Sequence, residues 1–112
     1  MMKDKILEYI KLNPNLTYHD LCKIFGLSLE GIFKMLDINN YKIEDGYIEI
    51  FDTNDNSIYE EFSTGYWVKY EYDENNNRIC VENYKGSWVK YYYDGNNNLT
   101  SKEDSNGYKY KY

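Results

Sequence analysis

The chain has 112 residues, in the range of a single domain that buries roughly two-thirds of its unfolded surface, and 19 acidic against 13 basic side chains leave a net charge of −6. That balance argues against affinity built on neutralising phosphates. No apolar run approaches the roughly 20 residues that span a bilayer, and Lys3, Asp4 and Lys5 lead into no secretory core, which predicts a cytoplasmic protein.

Taken in chain order, Ile6, Leu7, Ile10 and Leu12 recur at near-helical spacing and predict a first helix over 4–12, stopped by Asn13-Pro14-Asn15. Thr17 and Asp20 have capping-box form, so a second helix follows with Leu21, Ile24 and Phe25 on one face, and the only histidine, His19, takes a surface or capping place in its first turn. Gly26 can close that helix in the left-handed conformation, and Ser28 can cap a third with Leu29, Ile32, Met35 and Leu36 as core positions. Tyr41–Glu44, Asp45-Gly46 and Tyr47–Ile50 then predict strand, tight turn and strand.

The clearest pattern is a period of 21. It relates Gly65, Gly86 and Gly107, and it superposes residues 65–73 on 86–94, each copy continuing into three asparagines. Phe51-Asp52 falls one period before Tyr72-Asp73, so the second strand of the first hairpin doubles as the first strand of the repeats. Each copy predicts a strand, an Asp/Asn-rich turn, a returning strand and a glycine turn. Strand alternation places Tyr66, Val68, Tyr70 and Tyr72 on one face, taken as the packed one, and Trp67, Lys69 and Glu71 on the other with Trp88, Lys90 and Tyr92. Large aromatics among charges suit a binding surface, and the plainer reading is that they are cross-strand packing rungs, one per repeat.

Residues 21–28, Leu-Cys-Lys-Ile-Phe-Gly-Leu-Ser, resemble the helix-turn-helix signature, and with the hairpin after them residues 3–51 resemble a winged helix. That resemblance implies DNA binding, yet the exposed face expected for the third helix offers Glu30, Gly31, Phe33, Lys34 and Asp37, and residues 1–52 hold six lysines against nine acids. Such a face has little with which to read a base edge and suits protein contact better. Tyr93-Asp94-Gly95-Asn96-Asn97-Asn98-Leu99-Thr100 and, less completely, residues 72–79 resemble the YD repeat of Rhs-like and teneurin-like proteins. Asn76 and Asn97 stand at that motif's turn glycine and Arg78 replaces its apolar residue. Two and a half copies cannot form the shells that large members build. Short Asn-rich copies of this kind are similar to those in phage and mobile-element proteins, and a composition rich in Lys, Asn, Ile and Tyr with no Ala suggests an AT-rich genome.

No phosphate loop, zinc motif or nucleophile elbow is present, so no catalytic residue, metal or cofactor is expected. Cys22 and Cys80 lack metal-ligand spacing and are taken as buried thiols, and Glu60-Glu61 and Glu103-Asp104 as solvated strand ends. The predicted fold is α+β. A three-helix winged-helix-like head, 1–43, continues into an antiparallel meander of hairpin repeats, 44–112, as one compact unit. The predicted function is a non-catalytic protein-binding module that uses Trp67, Lys69, Glu71, Trp88, Lys90 and Tyr92, with Glu30, Phe33 and Asp37 on the head. Its sharpest form is an anti-CRISPR-like inhibitor occupying a basic nucleic-acid-binding host protein or nuclease. The alternatives are a winged-helix DNA-binding regulator contacting phosphate through Lys23, Lys34 and Lys42, and a module that pairs with a second copy through the strand edge at Tyr108–Tyr112.

Overall fold

A computed structural model describes residues 2–112. Three helices come first: α1 Met2–Leu12, α2 Tyr18–Phe25 and α3 Leu29–Met35. The Thr17 hydroxyl accepts from Asp20 N at 3.0 Å while Thr17 N donates to the Asp20 carboxylate at 3.2 Å, so the expected capping box forms. Gly26 closes α2 at φ 67°, and Ser28 caps α3 by accepting from Gly31 N at 3.1 Å. One expectation fails in α3. Phe33, predicted on its exposed face, is fully buried, with its ring centroid 5.1 Å from Tyr18 and 4.7 Å from Tyr41. The short helix is wedged between α2 and the first hairpin, so it buries a second side in addition to Ile32.

Eight strands follow: β1 Tyr41–Glu44, β2 Tyr47–Phe51, β3 Ser57–Glu61, β4 Trp67–Tyr72, β5 Arg78–Asn83, β6 Trp88–Tyr93, β7 Leu99–Asp104 and β8 Lys109–Lys111. They form one antiparallel sheet in sequence order, so the fold is α+β, a helical head on a β-meander. The 21-residue period reappears as geometry. Asp52, Asp73 and Asp94 each accept two backbone N–H bonds across their turns, from Asn54 and Asn56, Asn75 and Asn77, and Asn96 and Asn98. The left-handed position of each turn holds Asp55, Asn76 or Asn97, at φ 62°, 64° and 64°. Adjacent turns are laced together, since the Asn76 side-chain oxygen accepts from Asn56 at 2.9 Å and that of Asn97 from Asn77 at 2.9 Å. A bulge also recurs each period: the register skips Ile58, Ile79 and Thr100.

The register places Tyr41, Ile48, Ile50, Tyr59, Glu61 and Trp67 on one face, and this is the face on which the helices pack. Ile6, Leu21, Ile32 and Phe33 meet Ile48, Ile50, Tyr59 and Trp67 in the core. Among the described residues the Tyr/Val face, expected to be the packed one, carries no second layer; Val68 is buried there by its own strand neighbours, and Glu60 accepts bonds from Tyr47 and from Tyr70. Alternation defines two faces but not which one a helix will cover. The molecule measures 48 × 29 × 28 Å, and the later strands extend beyond the head as a single layer. Cross-strand pairs hold that layer, among them Val81 opposite Val89, Lys90 opposite Glu103 and Arg78 over the Tyr70 ring at 4.4 Å.

Candidate functional site

Trp67 and Trp88 begin β4 and β6 at equivalent repeat positions, on the same face, each with the lysine two residues on lying 4.8 Å from its ring centroid. Their surroundings differ. Trp67 is 6% exposed, beneath the head and stacked on Tyr59 at 6.4 Å. Its expected place on an open surface is therefore corrected: the helices cover the Trp face at β2–β4. Trp88 lies beyond their reach and is only half-buried. Lys69, Glu71, Lys90 and Tyr92 are exposed as expected, and the cross-strand pairing of Lys90 with Glu103 and of Tyr92 with Ser101 keeps Trp88, Lys90 and Tyr92 together on the uncovered part of this face.

A cavity of about 520 Å³ lies where head meets sheet, lined by Ile10, Leu16, Leu21, Ile50, Tyr59 and Trp67 and reaching Lys69 and Glu71. Glu71 also lines a hollow with Cys80, Lys90 and Tyr92, and Tyr92 lines another with Ser101, Glu103 and Lys111. The Trp face therefore carries linked depressions from the head towards β8.

The residue that joins head to sheet went unforeseen. Glu61, taken from sequence as a solvated strand end, is fully buried. Its carboxylate accepts from Tyr18 N at 2.8 Å, His19 N at 2.9 Å and the Tyr59 hydroxyl at 2.6 Å, and it also pairs with the His19 ring through Nδ1. With the Thr17 bond to Asp20 N, this satisfies the first three orphan N–H groups of α2 and sets an acid against the positive end of its dipole. Burial and the Glu61 charge hold the Tyr59 and Tyr18 hydroxyls above the usual phenol range. The sequence signal for Glu61 was faint: it shares a face with Tyr59 and Trp67 by alternation, but only the docked helix gives the carboxylate its partners.

The head candidates do not converge on the distal sheet. Glu30 is exposed in the first turn of α3, and Asp37 is held by Lys3 at 2.6 Å. Lys23 and Lys34 are exposed on separate helices, while Lys42 lies 3.3 Å from Glu44 in β1. The other strand-end pair is also less free than expected: Glu103 meets Lys109 at 3.5 Å and Asp104 accepts from two backbone N–H groups in its turn. Cys22 and Cys80 are free thiols, half-buried rather than buried, and burial pushes both above the usual thiol range. Among the described residues no three His, Cys, Asp or Glu side chains gather as a metal set, and no helix is long and apolar enough to cross a membrane. No protein-family model matches the chain, and no curated protein matches it significantly.

Proposed function

We propose that the protein is a non-catalytic binding module that engages another protein through the distal Trp face, centred on Trp88, Lys90 and Tyr92. The repeat-equivalent tryptophans carry this proposal. One Trp–Lys unit is covered by an apolar surface of the protein's own head, and the next copy presents the same chemistry uncovered, so the Trp67 contact is a template for what a partner would supply at Trp88. Partly exposed aromatics flanked by charges are the usual anchors of such interfaces. The net charge of −6 favours a basic partner such as a nucleic-acid-handling protein. In this proposal the head and first hairpin are a winged-helix-like scaffold turned from DNA to structural support, and the asparagine-closed turns are a YD-like unit.

The test is quantitative capture of partners from a bacterial lysate on immobilised wild-type protein, Trp88→Ala and Lys90→Glu, with circular dichroism verifying that both variants are folded. A partner lost tenfold or more (about 1.4 kcal/mol) on both variants is the expected result. Identical captured sets on all three proteins would remove the distal face from the function.

A further inference from the structure

Among the described residues β8 forms one edge of the sheet and β1 the other, and the hydrogen bonds to β7 identify which backbone groups of β8 are free. Asp104 N donates to Tyr108 O at 3.0 Å and Tyr112 N to Thr100 O at 2.9 Å. Residues 108, 110 and 112 therefore turn their backbone groups towards β7, and antiparallel alternation directs the N–H and C=O of Lys109 and Lys111 away from the sheet.

The complete repeats show what occupies the same edge. Trp67 O accepts from Tyr84 N at 3.0 Å, and Trp88 O from Ser105 N at 2.9 Å. Two residues further on, Lys69 stands opposite Glu82, and Lys90 opposite Glu103. The 21-residue period maps Lys109 onto Trp67 and Trp88, and Lys111 onto Lys69 and Lys90. Twice within the chain, then, this edge takes up an antiparallel strand with a glutamate facing its lysine, and at β8 the same backbone groups and the same lysine meet no strand among the described residues.

We infer that β8 is a strand-addition site for an acidic, extended segment of another protein, paired antiparallel to β8 with a carboxylate opposite Lys111. Lys109 already has Glu103 at 3.5 Å, whereas Lys111 has no acidic partner among the described residues and is exposed. Tyr110 lies on the other face under Lys102, 5.0 Å from its ring centroid, which leaves the incoming acid to the lysine face. A second copy is a poor occupant. A symmetric β8 pair centred on Tyr110 sets Lys109 of one copy opposite Lys111 of the other, and edge lysines commonly block such pairing. The lysines thus reject the strand's own kind and select an acidic one. This site stands on the register of β4–β8 and adjoins the Trp88 surface, since Lys111 and Tyr92 line one hollow.

The probe is a synthetic peptide with the sequence of residues 98–106, in which Glu103 serves as the incoming acid, titrated into the ¹⁵N-labelled full chain. The amides of Lys109 and Lys111 are expected to shift and gain protection from exchange. Replacing the peptide's Glu103 by Lys, or Lys111→Glu in the protein, should each weaken binding about fivefold, and combining the two should restore it. Equal binding of the charge-reversed peptide, shifts confined to the Trp88 face, or no shift at millimolar peptide would overturn the inference. So would a concentration-dependent dimer in which the Lys109 and Lys111 amides are already protected.

Discussion

Trp67 and Trp88 occupy the same place in consecutive copies of one repeat, each with the repeat's equivalent lysine over its ring, yet one is core and the other keeps part of its ring in solvent. The repeat itself does not distinguish them. What does is distance along the sheet from the helices, which reach β4 and stop. A unit able to bury an apolar surface is used once inside the molecule and left open once, and the binding role proposed for the open copy rests on that difference.

Four experiments can break or sharpen this contrast. The largest effect is expected at the covered copy: Trp67→Ala leaves a cavity among Tyr59, Ile50 and Leu21 and should cost about 4 kcal/mol in denaturant unfolding. A loss no greater than at Trp88 would abolish the distinction. Next comes the junction, where Glu61→Gln sets an amide donor against the N–H groups of Tyr18 and His19 and leaves an α2 group unsatisfied. A loss of about 3 kcal/mol is expected, with the helices losing hydrogen-exchange protection before β5–β8. Simultaneous loss of protection throughout would show that head and distal sheet unfold as one. Trp88→Ala should cost only about 1 kcal/mol while carrying the binding effect, because its ring already meets water on one side.

The smallest effect concerns the turns that both copies share. Backbone hydrogen bonds from Asn56, Asn77 and Asn98 hold the carboxyls of Asp52, Asp73 and Asp94 below the usual aspartate range. A depressed folded pKa stabilises above the unfolded value, about 3.9, and that contribution is lost as pH falls through the folded one. The turn amides of residues 54–56, 75–77 and 96–98 should therefore gain exchange rate relative to the strands as pH drops below about 4. Asp94→Asn should remove this pH dependence from the last turn alone; an unchanged profile there would mean that its carboxyl is not what titrates.

Much of the architecture was legible because it is written in local chemistry. Thr17, Gly26 and Ser28 act within a few residues of themselves, and each takes its expected role. The 21-residue period was legible for a similar reason, since each Asp-to-Asn turn closes on its own backbone. The binding candidates were legible only as a set: Lys69, Glu71, Trp88, Lys90 and Tyr92 lie on one face as alternation requires, but Trp67, on that same face, belongs to the core. Phe33 and Glu61 were misplaced because their environments are non-local. Phe33 is enclosed by Tyr18 and Tyr41 from two other elements, and Glu61 meets groups 42 and 43 residues away.

By itself, then, the sequence determined the caps, the turns, the period and the in-and-out order of each strand, all of which follow from backbone geometry over a few residues. Only the tertiary structure decided which face the helices cover and how far along the sheet they reach. In β4 and β6 both faces are rich in aromatics, so local patterning there is nearly indifferent between them. The choice is made at β1–β2, where Ile48 and Ile50 meet the helices while Lys42 and Glu44 stay exposed, and the strand register carries that face across to Glu61 and Trp67.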